Sequence, residues 1–133
     1  MDSSLPDLLA AINDGRILTP DVFGSIDLDE VLDARESEER FDSEWNRCYA
    51  ALEQEWSERE IGTAVEEMVD EIRELAFEVA TANTDHHELA NHISDDFELF
   101  ARAIVLEFAD PFLETLWEAY DNGEIPSPLT ITE

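Results

Sequence analysis

Residues 95–108, DDFELFARAIVLEF, make up a stretch that is apolar on almost every side when it is drawn as a helix. After the two opening aspartates, only Glu98, Arg102 and Glu107 interrupt it. A helix that is apolar all round is usually surrounded by other helices. Glu98 and Arg102 are four residues apart and can pair where the helix reaches the surface. We therefore predict a central helix over about residues 95–108.

Two amphipathic helices are predicted before this stretch. The second runs from Glu58, with Ser57 as its cap, to about Ala80, and its apolar residues share one face. The first has six apolar side chains within an arc of roughly 100°, the width of an ordinary core-facing stripe. These six are Phe41, Trp45, Cys48, Tyr49, Leu52 and Trp56.

Shorter helices are predicted from caps, prolines and turn residues towards both ends of the chain. The segments are Ser4–Asn13, closed by Asp14-Gly15; Thr19-Pro20 through Ser25; a helix capped by Asp27 that ends within Arg35–Arg40; a turn opened by Thr84 or Asp85, with a restart at Ser94; and a helix from Asp110-Pro111 to Asn122-Gly123. Together with the longer helices they predict an all-α fold.

The predicted architecture is a compact bundle of five to seven helices around the central one, because no segment has a convincing period of two. We expect residues 1–125 to form one helical domain and residues 126–133, with two prolines, to form an extended tail. No stretch approaches the roughly 20 apolar residues of a membrane span. The single cysteine and the absence of a signal-peptide pattern predict a cytoplasmic protein.

The net charge limits the kind of partner that the chain can bind. Its 133 residues include 35 acidic and 7 basic ones, which gives a formal net charge of −28. All the basic residues are arginines. Such a charge repels nucleic acid and anionic membranes and attracts basic surfaces within about 8 Å, the Debye length in physiological salt. We therefore expect a basic protein as the partner, with no direct nucleic-acid or membrane contact.

Three patterns that could carry chemistry fail on spacing or position. His87-Glu88-Leu89-Ala90-Asn91-His92 is one residue too long for the zinc-protease helix motif, so its histidines diverge by about 140°. Asp27-Leu28-Asp29-Glu30 opens like a calcium loop, but Val31 and Leu32 stand where an oxygen ligand and a glycine are needed. Cys48 lies on the apolar face of its helix. We predict no catalytic residue, no metal and no cofactor, and hence no enzyme.

A row of acids on the helix from Glu58 to Ala80 is the predicted partner-binding surface. Its members lie opposite the apolar stripe and follow one another about every 5 Å along the axis. Phe77 is expected to project among them, either as an apolar anchor or under another helix or the tail. The predicted contact residues are Glu67, Asp70, Glu71, Glu74, Phe77 and Glu78, with Asp95 and Asp96 as outliers.

Two functions remain compatible with the charge. The chain is predicted to neutralise a basic, nucleic-acid-binding protein by charge mimicry and steric occlusion, as an immunity protein for a nuclease toxin or an inhibitor of a nucleic-acid-binding enzyme would. The alternative is a salt-adapted, halophilic helical protein whose acidity serves the solvent and whose interaction or assembly role is unrelated. The absence of lysine favours the alternative, whereas 21 glutamates against 14 aspartates favour the inhibitor.

Overall fold

The computed structural model describes residues 4–18, 28–84 and 86–126. Within these ranges it contains six helices and no strand, so the all-α prediction is confirmed. The predicted segment from Thr19 to Ser25, the cap Asp27, the alternative start at Asp85 and the tail beyond Pro126 lie outside the described residues. The helices are α1 (Leu5–Asn13), α2 (Leu28–Ser37), α3 (Glu39–Glu58), α4 (Thr63–Thr84), α5 (His87–Leu106) and α6 (Pro111–Asp121).

Helix α5 is the centre of the bundle, as predicted, and it contacts each of the other five helices. Its aromatic side chains are fully buried: Phe97 packs edge-on against Phe100, with 5.3 Å between ring centroids, and lies 5.0 Å from Tyr120 of α6. The helix begins at His87, eight residues before the predicted start. Ser94 does not restart it, because this residue is buried inside a continuous helix and its hydroxyl donates to the Asn91 carbonyl.

The boundary between α3 and α4 differs from the prediction. Ser57 does not cap α4; it lies in the last turn of α3, where its hydroxyl donates to the Gln54 carbonyl at 2.9 Å. Helix α4 starts at Thr63, and the Gly62 carbonyl accepts hydrogen bonds from the amides of Val65 and Glu66. The Ser57 prediction was wrong because a serine hydroxyl can also bond back to the preceding turn of its own helix.

The terminal helices begin and end close to the predicted positions. Ser4 and Asp7 form a reciprocal capping box at the start of α1. Asp110 caps α6 by accepting from the Phe112 amide at 2.9 Å. Gly123 follows α6 with φ of +82°, a left-handed conformation that favours glycine. These boundaries were predictable because each depends on residues within one helical turn.

A buried carboxylate, that of Asp96 on α5, joins four helices. It receives two hydrogen bonds of 2.8 Å from Arg35 of α2, one of 2.8 Å from the Trp45 indole of α3, and one of 2.6 Å from the Tyr120 hydroxyl of α6. The Arg35 and Asp96 side chains are only 3% and 0% exposed. Burial opposes the charge on Arg35, but the Asp96 carboxylate more than offsets this and raises the Arg35 pKa. The Arg35 guanidinium also reaches the Pro126 carbonyl.

Replacing Asp96 with asparagine is expected to lower the free energy of unfolding by about 3–5 kcal/mol, because it leaves the buried Arg35 charge without its counter-ion. Urea unfolding followed by circular dichroism measures the change. The matched control is Asp95→Asn, one residue earlier, whose side chain is 36% exposed. We expect this control to change stability by less than about 1 kcal/mol. Equal losses in the two variants would contradict a special role for Asp96.

Candidate acidic binding surface

The five predicted acids of α4 lie together on its outward face. The opposite face buries Val69, Ile72, Ala76 and Ala80. Glu67, then Asp70 and Glu71 side by side, then Glu74 and Glu78 follow one another in steps of three or four residues, so the five acids form one line along the helix. We call this line the acidic row; it consists of Glu67, Asp70, Glu71, Glu74 and Glu78, and all five are exposed.

Arg35, Arg47 and Arg73 direct their charge away from the acidic row. Arg35 binds Asp96, and Arg47 binds Glu44 and Asp110. Arg73 lies on α4 itself, yet its guanidinium contacts Asp95 at 2.8 Å and Glu98 at 2.6 Å, both on α5. In the described part of the chain no ion pair includes an acid of the row, so the row keeps its negative charge for solvent or for a partner.

An open concavity of about 460 Å³ lies beside the first half of the row. Ala64 and the half-buried Met68 contribute apolar atoms to its lining. Four acids of the row complete the described part of this lining: Glu67, Asp70, Glu71 and Glu74. A lysine or arginine fits such a site, because its aliphatic stem can pack on apolar atoms while its charged end meets carboxylates.

The outlying predicted residues do not all belong to this surface. Phe77 is half-buried against the core, and its ring centroid lies 6.1 Å from that of His87 on α5. Of the two alternatives for Phe77, the structure agrees with cover by another helix, because the first turn of α5 lies beside it. Asp95 is partly exposed and pairs with Arg73, although burial raises its pKa. Asp96 is not at the surface at all, because the core arginine Arg35 holds its carboxylate.

A chain of alternating charges crosses from α3 over α5 to α4. The Glu98–Arg102 pair predicted from sequence is its middle link, with 3.1 Å between charged atoms. Arg102 also binds Glu53 of α3 at 2.6 Å, and Glu98 also binds Arg73 of α4. Sequence reasoning missed these outer links because they join residues 49 and 25 positions apart. This chain of ion pairs holds the edges of α3 and α4 on either side of α5.

The model of the family described as Immunity protein PIM1 matches residues 7–127. The chain belongs to this immunity-protein family. The membership supports the predicted role of binding a toxin as an inhibitor rather than acting as an enzyme. No match was found among curated proteins.

In this immunity-protein chain, Cys48 is fully buried and its thiol donates to an Asp110 oxygen at 3.4 Å. Burial, reinforced by the neighbouring Asp110 charge, raises the Cys48 pKa to about 12. Arg47 binds the same Asp110 carboxylate and lowers its pKa. The Cys48 thiol therefore stays protonated beside Asp110, the cap residue of α6, which is the opposite of an activated nucleophile.

His86 and His92 lie close to acidic side chains of α2. His86 caps α5 by accepting from the Leu89 amide, and its other ring nitrogen lies 2.9 Å from Asp29 of α2. The His92 ring nitrogen lies 3.8 Å from a Glu36 oxygen of α2. The described residues hold no group of three side chains that could bind a metal ion. None of the described helices is long and apolar enough to span a membrane.

We expect Cys48 to resist alkylation by iodoacetamide at pH 8 in the folded protein. With a pKa of about 12, roughly one thiol in ten thousand is ionised at that pH. Mass spectrometry measures labelling against the same protein in urea, where the rate should rise at least about 100-fold. The matched control places a cysteine at the exposed Ala50 in a Cys48→Ala background. Folded wild-type protein that reacts as fast as this control would contradict the burial.

Proposed function

We propose that this chain is an immunity protein that neutralises a toxin by occupying a basic surface that otherwise holds nucleic acid. Two findings support the proposal: the family match over residues 7–127 and the unneutralised acidic row on α4. The second carries the mechanism, since exposed carboxylates without arginine partners complement a cationic cleft. The toxin would be a nuclease or another nucleic-acid-binding enzyme.

Charge steering explains how such an inhibitor would reach its target quickly. Complementary potentials raise association rates from about 10⁵–10⁶ to as much as 10⁸–10⁹ M⁻¹s⁻¹ at low salt. The row has five carboxylates over about 16 Å of helix axis, or one about every 4 Å on average, against one phosphate every 3.4 Å along a DNA strand. The row thus imitates part of a phosphate backbone, and neighbouring helices add further acids.

Inhibition by occlusion needs no catalytic group in the inhibitor. The concavity beside Met68 would take one lysine or arginine of the toxin, with Glu67, Glu71 and Glu74 around its charge. Once the bundle covers the cleft, nucleic acid is excluded by volume and by like charge. We propose the cytoplasm as the place of action, because the toxin's nucleic-acid substrate is found there.

The proposal is tested with the triple variant Glu67→Lys, Glu71→Lys, Glu74→Lys. A cell that makes a toxin needs the antidote at the same time, so the toxin is sought among the genes next to the gene for this chain. Its catalytically inactivated form is the probe. Surface plasmon resonance at about 0.05 and 0.2 M salt measures association. We expect the triple variant to associate at least about 10-fold more slowly than the wild type, with a weaker salt dependence.

The matched control reverses three other exposed acids, at Glu118, Asp121 and Glu124 near the end of α6. It changes the net charge by the same amount, so only position differs. The proposal expects the control to retain most of the wild-type association rate. Equal slowing in both triple variants would mean that net charge matters and that the acidic row has no special place. Unchanged binding by the α4 variant would overturn the row as the contact surface.

Salt adaptation is the competing proposal, and the spread of acid over several helices favours it. Asp33 and Glu36 of α2 and Asp42 of α3, for example, are exposed as well. Thermal unfolding at about 0.1 and 2 M potassium chloride separates the two, because the Debye length falls from about 10 Å to below 3 Å. We expect cooperative melting well above room temperature in low salt. A chain that folds only at high salt would favour solvent adaptation.

A further inference from the structure

Tyr49 is the large hydrophobic side chain that the described residues leave exposed, with 38% of its surface open to solvent. Sequence analysis placed it in the core-facing stripe of α3. At 100° per residue it lies about 80° from the centre of the buried side chains Phe41, Cys48 and Leu52, so it belongs to the flank of that stripe. Adaptation to salt does not account for an aromatic ring at this place, where an acid would suit the solvent better.

The Tyr49 ring is held in place from the core. It stacks on Trp45, with 5.7 Å between ring centroids and 10° between ring planes. The Trp45 indole in turn donates a 2.8 Å hydrogen bond to Asp96, whose carboxylate is fully buried and bound by Arg35. A surface aromatic fixed in this way loses little conformational entropy when a partner covers it.

A second support comes from α5. The Arg102 guanidinium lies 5.9 Å from the Tyr49 ring centroid and 5.2 Å from that of Trp56. The Arg102 side chain is only 14% exposed and is bound by Glu53 and Glu98. The arginine therefore acts as a fixed neighbour of the two aromatic rings. Trp45 and Arg102 thus hold the Tyr49 ring from two sides before any partner binds.

Acidic side chains border Tyr49 along its own helix. Asp42 precedes it by seven residues and Glu53 follows it by four, so both share its side of α3. The Glu53 side chain is 53% exposed even though it binds Arg102. An aromatic residue with a polar, charged rim is the usual arrangement of an interface hot spot. The negative charge of these acidic side chains complements a basic partner.

We infer that the stacked pair Trp45–Tyr49 is the apolar anchor of the interface with the toxin. This inference rests on the proposed function and adds a second contact region to the acidic row. The occupant is a basic protein surface, in which the aliphatic part of an arginine or lysine packs on Tyr49 and its charge faces Glu53. The chain of ion pairs links Glu53 on α3 to Arg73 on α4, so the helices that carry the two contact regions are both tied to α5.

The test is the dissociation rate of Tyr49→Ala from the inactivated toxin. Loss of a hot spot should raise that rate about 30-fold or more, whereas the association rate and its salt dependence should stay within about 2-fold of wild type. Tyr49→Phe keeps the ring and should dissociate nearly as wild type does. The control Gln54→Ala removes another exposed side chain of α3 and should have no effect. A Tyr49→Ala variant that dissociates like this control would overturn the inference.

Tyr49→Glu separates an anchor from a purely electrostatic contact. If charge alone held the toxin, an added acid would leave binding equal or make it tighter. The anchor instead requires this variant to dissociate at least as fast as Tyr49→Ala. Polylysine, a cation without a shaped surface, should bind wild type and Tyr49→Ala equally. Equal weakening towards polylysine and toxin would overturn the anchor, because the loss would then come from a general change in the protein.

The two proposals fail in different ways. If the α4 triple variant associates slowly while Tyr49→Ala behaves as wild type, the acidic row stands and the anchor is overturned. If the wild-type chain does not bind the toxin at all, both are overturned. Circular dichroism of each variant verifies that its helices are intact, and Tyr49→Phe provides the ring-retaining comparison.

Discussion

The bond between Asp96 and Arg35 is the interaction on which the rest of the bundle depends. One fully buried carboxylate accepts hydrogen bonds from α2, α3 and α6 while it sits on the central helix. A buried charge is costly unless every lone pair is used, and the four hydrogen bonds meet that condition. This single carboxylate ties these helices together, and it also holds Trp45, on which Tyr49 stacks.

Three other arginines repeat this use of positive charge between helices. Arg47 joins α3 to the cap of α6, Arg73 joins α4 to α5, and Arg102 joins α5 to α3. With a net charge of −28, the chain repels itself. Placing the few cations at helix contacts opposes that repulsion where the helices meet. The consequence is an outer surface, including the acidic row, whose carboxylates remain available to a basic partner.

The acidic row and the aromatic anchor would act on different steps of binding. Long-range charge mainly sets how fast two proteins meet, whereas a well-packed anchor mainly sets how long they stay together. The family membership supports the existence of a protein partner. In this picture the chain of ion pairs over α5 holds α3 and α4, the helices that carry the two contact regions, in a fixed relation.

The sequence by itself determined the helical fold, the central helix and the caps at Ser4 and Asp110, because helical periodicity and capping depend on residues within a turn of each other. It also placed the acidic row on the outward face of α4. It could not separate Asp95 from Asp96, which are identical neighbours, or show that Tyr49 lies at a surface edge. Those outcomes depend on partners such as Arg35, 61 residues away from Asp96, and Arg102 on another helix. Only the packing of helices against one another decides which side of a stripe is covered and which carboxylate meets a buried cation.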